Sequence, residues 1–130
     1  MKYSELLTDA KKETGGVWHD CGKGFRVLVA RAGNTNFRKA AAAKIRANRE
    51  ALAGPGREEL YDRLMLDVMA ESILLGWEGL EDDAGAPIPY SPAKAAACLA
   101  ESRDLRAIVE GYSERADLYR REAASDAGKP

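Results

Sequence analysis

The segment of residues 75–92 constrains the fold of this chain most, because it joins two helical patterns yet is too rich in apolar residues for a plain linker. Its apolar side chains are separated by glycine, acidic residues and proline, and they are Trp77, Leu80, Ile88 and Tyr90. This composition is typical of a short hairpin or tucked loop that packs on a helical body. We therefore expect these four residues to anchor the loop or to contact a protein partner.

Local signals predict how this segment turns and where it ends. Residues 83–85 read Asp-Ala-Gly and predict a turn, because Asp tolerates unusual backbone angles and Gly accepts a positive φ. Ser91 followed by Pro92 predicts a helix start, with Ser as the N-cap and Pro at the first helical position. The segment contains no nucleophile, base or metal-ligand set, which indicates an architectural role.

Apolar residues at helical spacing dominate the rest of the chain. The strongest pattern covers residues 57–76, where two neighbouring apolar rows predict a central helix that is buried on much of its circumference. Weaker helical patterns cover residues 3–13, 37–52, 92–101 and 104–122.

Residues 17–18 and 25–31 predict the two strands of a hairpin around a turn at residues 20–24. A two-stranded hairpin is marginal alone, so it must pack on helices. The predicted fold is therefore α+β and predominantly helical, with four or five helices packed with a small N-terminal β-hairpin and a short structured loop. In this prediction residues 1–122 form a single domain and residues 123–130 a flexible C-terminal tail.

Length and composition limit where such a chain acts. Its 130 residues suffice for one domain, and its apolar runs, such as residues 73–75, are far too short for a membrane span. Residues 1–9 do not resemble a signal peptide. Cys21 and Cys98 are far apart, which favours two free thiols in a reducing compartment. We therefore expect a cytoplasmic protein without a membrane partner.

The net charge of −1 conceals two oppositely charged halves. Residues 1–56 carry 11 Lys and Arg against 5 Asp and Glu, whereas residues 57–130 carry 9 against 16. The simplest interpretation is that the halves attract each other, within one chain or between copies.

The basic charge is concentrated in the helical pattern of residues 37–52, and its basic-face candidates are Arg38, Lys39, Lys44, Arg46 and Arg49. A DNA-reading helix usually follows another helix through a tight turn, whereas a hairpin precedes this one, and we expect its charges to spread around the helix. We therefore favour contact with the acidic helix of residues 57–76, or with an acidic partner, over nucleic-acid binding.

The search for catalytic or metal chemistry centres on His19, the only histidine, which Asp20 and Cys21 follow. A zinc site would need further ligands, and adjacent residues at a hairpin tip are poorly placed for Cys-His nucleophilic catalysis. We predict a turn here, with no catalytic, metal-binding or cofactor-binding residue in the chain and no enzyme activity.

Three pieces of the sequence, in this order, resemble the tail assembly chaperones of long-tailed bacteriophages and related prophages. The first joins residues 16–18 to the strand of residues 25–31 and continues through residues 32–39. The second is the helix end and loop of residues 70–80. The third is the loop of residues 83–92, followed by a helix and by residues 104–109. The resemblance covers about residues 15 to 120.

This resemblance implies a non-catalytic protein of the host bacterial cytoplasm that is absent from the mature virion. It implies that the chain binds the tape measure protein and keeps it soluble during tail tube assembly. It also implies self-association, with the tail tube protein as a further partner. We expect Tyr112 and Tyr119 to be exposed or interfacial aromatic residues in such contacts, although Tyr112 also suits the core.

Two alternative functions remain from the sequence. The first is a small structural component of the phage tail or neck that stays in the virion. The second, less favoured, is a nucleic-acid-binding regulator that acts through the basic helix, and its binding would weaken steeply with salt.

Overall fold

The computed structural model describes residues 1–121, and its core lies where one face of an antiparallel sheet meets three helices. The sheet contains β1 (Val17–Asp20), β2 (Arg26–Val29) and β3 (Leu74–Glu78), in the spatial order β1-β2-β3. Within residues 1–121 the helices are α1 (Ala10–Gly15), α2 (Thr35–Ala47), α3 (Arg49–Leu52), α4 (Arg57–Ser72), α5 (Pro92–Glu101) and α6 (Arg103–Ser113). Short 3-10 helices cover Tyr3–Leu6 and Ala116–Tyr119. The predicted α+β, predominantly helical class is confirmed.

The predicted hairpin forms between β1 and β2, which pair antiparallel from Val17 opposite Val29 to Asp20 opposite Arg26. Alternation along β2 places Val27 and Val29 in the core, whereas Arg26 is exposed.

A third strand extends the hairpin, and the predicted end of the helix of residues 57–76 is therefore wrong. Helix α4 ends at Ser72, and the chain continues as β3, which pairs with β2. The amide of Ala30 donates to the carbonyl of Ile73 at 2.8 Å, where this pairing begins. A short apolar run such as residues 73–75 suits a helix or a strand equally well, and pairing with β2 decides for the strand.

Three other predicted helices have different limits in the structure. The pattern of residues 3–13 divides into a 3-10 helix and α1, which begins where the Asp9 carboxylate accepts from the amides of Lys11 and Lys12. The pattern of residues 37–52 divides at Asn48, whose side-chain amide donates to the Lys44 carbonyl. Helix α6 stops at Ser113 instead of continuing to residue 122. By contrast, α5 covers residues 92–101 as predicted, with Ser91 as its N-cap.

The core consists of the inner face of the sheet and the helices α4, α5 and α6 that cover it. Fully buried apolar side chains come from each layer, and they include Val27, Leu74, Val68, Leu99 and Val109. Outside this cluster, the 3-10 helix of residues 116–119 returns to the sheet, where the buried Tyr119 hydroxyl donates to the Val29 carbonyl at 2.9 Å. The predicted flexible tail of residues 123–130 lies outside the described residues.

Candidate binding groove

An open groove of about 490 Å³ lies between the hairpin, the loop of residues 79–91 and the helices α5 and α6. Its apolar walls come from all of these elements: Phe25, Leu80, Ile88, Cys98, Leu105 and Ile108. Ile108 is 37% exposed, so its side chain is accessible from the groove. A concave apolar surface with a charged margin is the usual form of a protein or ligand binding site.

Two aromatic side chains hold the loop wall of this groove. The buried Trp77 donates its indole N–H to the Ile88 carbonyl at 2.7 Å, and its ring meets that of Tyr90 edge-on at 5.1 Å. The Tyr90 hydroxyl donates to the Leu74 carbonyl at 2.7 Å and lies 3.2 Å from that of Ala70. Burial raises the pKa of this hydroxyl, which therefore stays a neutral donor. The sequence-predicted loop anchor is thus present as a connected set of contacts.

The turn of the loop brings Leu80 and Ile88 together on the groove wall. The Ile88 amide donates to the Leu80 carbonyl at 2.8 Å, which fixes the spacing of the two side chains. The Asp82 carboxylate accepts from the amides of Ala84 and Ala86 at 2.9 Å each. Asp82 therefore organises the turn that the sequence assigned to residues 83–85, while Gly85 supplies the predicted positive φ of 83°.

The other wall depends on the tight junction between α5 and α6. Ser102 ends α5 and caps α6, since its hydroxyl accepts from the Leu105 amide at 3.0 Å. The Arg106 guanidinium donates to the Leu99 carbonyl at 3.0 Å and 3.2 Å, which closes the end of α5. These contacts direct Leu105 and Ile108 to the groove. The groove margin carries Glu101 and Asp104 against Lys94, so it is more acidic than basic.

The two tyrosines predicted as exposed or interfacial residues have different positions. Tyr119 is fully buried, so the prediction that it is exposed or interfacial is wrong. Its burial depends on the contact with Val29, 90 residues away, which no local pattern indicates. Tyr112 is half-buried and stacks on His19, with ring centroids 4.2 Å apart and planes within 5°. Neither tyrosine lies in the groove.

The residues of the hairpin that could carry chemistry form a packing cluster with α6. His19 is buried, and burial first and the nearby Arg115 second lower its pKa, so it is neutral at pH 7. Burial and Asp20 raise the pKa of the Cys21 thiol, although a hydrogen bond with Tyr112 opposes this change. A thiol with a raised pKa is a poor nucleophile. Among residues 1–121 no group of three or more His, Cys, Asp and Glu side chains could hold a metal ion.

The basic-face candidates lie on α2 and α3, away from the groove. Lys44 turns toward α4 and pairs with Glu71 at 3.3 Å, as the predicted contact of the basic with the acidic helix requires. Arg38, Lys39, Arg46 and Arg49 are exposed. Spacings of seven and eight residues place Lys39, Arg38 and Arg46 on one side of α2, whereas Lys44 lies on the side that faces α4.

The sequence-predicted site lacked four of the apolar groove residues, Phe25, Cys98, Leu105 and Ile108, as well as the polar residues of the rim. The sequence does contain a pattern for three of them. Leu105 and Ile108 belong to the apolar stripe of α6, and Phe25 belongs to the apolar face of the hairpin. An apolar stripe does not reveal which of its members the neighbouring elements leave uncovered. Which residues of the stripe stay uncovered depends on the short connection after α5 and on the position of the hairpin tip.

The fold and the groove together define a small α+β protein that carries an open apolar groove on its surface. No helix within residues 1–121 is long and apolar enough to cross a membrane. Residues 23–129 match the model of the YdaY prophage protein family, and this match covers most of the chain. The chain therefore belongs to the YdaY prophage protein family, and it is a protein of bacteriophage or prophage origin. No curated protein and no solved structure matches it.

Proposed function

We propose that this prophage protein is a tail assembly chaperone that binds the tape measure protein and keeps it soluble while the tail tube forms. The observation that carries the proposal is the open apolar groove, whose walls combine the loop residues Leu80 and Ile88 with Leu105 and Ile108 of α6. The prophage family supports the phage setting of this function. The resemblance to tail assembly chaperones supplies the proposed partner.

The shape of the groove suits an apolar helical stripe. A partner helix that carries apolar side chains three and four residues apart can insert them side by side into a groove of this kind. A volume of about 490 Å³ receives a few side chains, so one copy covers only a short length of a long helix. Many weakly bound copies would then cover the partner by avidity and still leave it when the tube closes.

The groove margin favours a partner of particular charge. Glu101 and Asp104 outnumber Lys94 at the rim, so basic side chains beside the apolar stripe would be attracted. Such exposed pairs add specificity and speed of association more than affinity. In this proposal the protein acts by binding, without catalysis, in the host cytoplasm, and it is absent from the mature virion.

The test is co-expression of the chain with the tape measure protein of the same genome, followed by size exclusion with light scattering. We expect a soluble complex with several copies of the chain for each tape measure protein. Ile108→Ser should weaken it by about fivefold or more, the effect of truncating a binding anchor. Leu6→Ser is the matched control, because Leu6 is 52% exposed and lies outside the groove.

Failure to form a complex, with the tape measure protein still aggregating, would contradict the proposal. Equal complex formation by Ile108→Ser and the wild type would show that the groove is not the contact. Detection of the chain in purified virions would instead support a structural component of the particle.

A further inference from the structure

Helices α2 and α3 form an arm that packs beside α4 and leaves apolar surface uncovered. Neither helix contributes a buried residue, although together they cover most of residues 35–52. Ile45 is 41% exposed and Tyr61, on the adjoining turn of α4, is 46% exposed. With Leu52 they line a cleft of about 360 Å³. Two large exposed apolar side chains thus lie together at one cleft.

Opposite charges lie on the two sides of this cleft. Residues 35–52 carry five Lys and Arg against one acid, and three of the cations, Arg38, Lys39 and Arg46, share the outer side of α2. Residues 57–72 carry five acids against two Arg, and the α4 side of the cleft is lined by Glu58 and Asp62 together with Arg57, so its charged lining is net acidic. Within the described part of the chain, only Lys44 and Glu71 form an ion pair between these helices. Positive, apolar and negative surfaces thus follow one another across the arm.

We infer that this face binds a second copy of the same chain through a two-fold interface. A two-fold axis brings each patch of one copy against its counterpart in the other, so a surface must complement itself. Here the apolar cleft would meet the apolar cleft, and the basic side of α2 would meet the acidic side of the partner's α4. This contact would cover Ile45 and Tyr61 and pair charges that one chain leaves largely in solvent.

The same observations disfavour nucleic acid as the occupant. The phosphate backbone would be attracted by Arg38 and Arg46 but repelled by Glu58 and Asp62 on the other side of the cleft. It would also leave the apolar cleft exposed. A second copy satisfies the charge and the apolar surface together. This inference concerns the chain alone and does not depend on the proposed groove function.

The first experiment measures the mass of the purified chain by sedimentation velocity over a range of concentrations. We expect a species of twice the monomer mass of 14.1 kDa that dissociates on dilution. Tyr61→Ser should raise the dimer dissociation constant by about tenfold or more, since buried tyrosines are frequent anchors of interfaces. Tyr3→Ser is the matched control, because Tyr3 is 75% exposed and lies outside the arm. Circular dichroism verifies that both variants remain folded.

A charge-reversal experiment tests the predicted complementarity. One variant carries Arg38→Glu and Arg46→Glu, and the other carries Glu58→Lys and Asp62→Lys. Each variant alone would face like charges in its own dimer and should be largely monomeric. Mixed together they should form a heterodimer, because both charge contacts across the two-fold axis are then attractive. Lys11→Glu and Asp83→Lys, at exposed positions elsewhere in the chain, provide the matched charge control.

A monomer at every concentration at which the chain stays soluble would overturn the inference. So would a dimer that is equally stable in Tyr61→Ser and Tyr3→Ser, or the absence of a heterodimer from the mixed variants. Salt-sensitive binding of a DNA or RNA probe by the monomer, lost in the Arg38 and Arg46 variant, would assign the basic side to nucleic acid instead.

Discussion

Replacement of Trp77 by Phe tests whether the loop anchor supports the groove wall. The smaller ring removes the N–H donor to the Ile88 carbonyl, a contact of 2.7 Å, and leaves that acceptor without its partner. An unsatisfied group of this kind costs about 1–3 kcal/mol. The space left beside Tyr90 adds about 1 kcal/mol for each methyl-sized void. We therefore expect the free energy of unfolding to fall by about 2–4 kcal/mol, a large part of the total for a small domain.

The chain contains a matched control in its other tryptophan. Trp18 is 38% exposed on the outer face of the sheet, where the Arg26 guanidinium lies 4.7 Å above its ring. Trp18→Phe keeps an aromatic face under Arg26 and only weakens the cation–π contact, so it should cost less than about 1 kcal/mol. Urea unfolding followed by circular dichroism compares both variants with the wild type, and a changed midpoint at constant slope reports stability. Equal losses for the two variants, or a greater loss for Trp18→Phe, would refute the anchor.

Three further predictions concern backbone approach and protonation. Gly79→Ala should lower stability by more than about 3 kcal/mol, because φ is 79° and a Cβ would overlap the Gly24 carbonyl. Gly85→Ala, also at positive φ but with only an ordinary contact to the Glu81 carboxylate, should cost about 1 kcal/mol. Thermal unfolding compares the two, and similar losses would contradict the overlap. Burial lowers the pKa of His19, so the unfolded chain binds more protons and the free energy of unfolding should fall as the pH decreases below 6.5. Urea unfolding at pH 7.5 and 5.5 measures this loss, and His19→Phe should lack it. Burial raises the pKa of Tyr119 to about 12, so the folded chain holds its proton longer and stability should fall between pH 10 and 12, by up to about 2.7 kcal/mol. Tyr119→Phe should lack this alkaline loss, and the same loss in that variant would exclude Tyr119 as its source.

Elements whose signals lie within a few residues were predictable from the sequence. Helix α5 begins at Pro92 because Ser91 accepts a backbone hydrogen bond from Lys94 and proline suits the first helical position. The hairpin of β1 and β2 was equally predictable, since its alternating residues and glycine-rich turn are local. The fold class followed from these signals and from the helical spacing of the apolar residues.

Features that depend on distant contacts were not predictable in this way. Ile73 forms the turn after α4, and residues 74 and 75 are the first residues of β3. They form a strand because β2, more than 40 residues earlier, provides hydrogen-bond partners. Tyr119 is buried because the chain turns back after α6 to reach Val29. The groove residues differ in the same way. Leu80 and Ile88 were predictable as candidates from the loop sequence, whereas the exposure of Ile108 depends on how its neighbours in the fold pack around it.

The most direct test of the proposed function is whether the purified chain prevents aggregation of the tape measure protein of the same genome. The tape measure protein is diluted from denaturant into buffer with or without the chain, and light scattering follows its aggregation. We expect the wild type and Leu6→Ser to suppress aggregation of the tape measure protein, and Ile108→Ser to suppress it much less. Aggregation that proceeds unchanged in the presence of the wild type, or equal protection by Ile108→Ser, would contradict it.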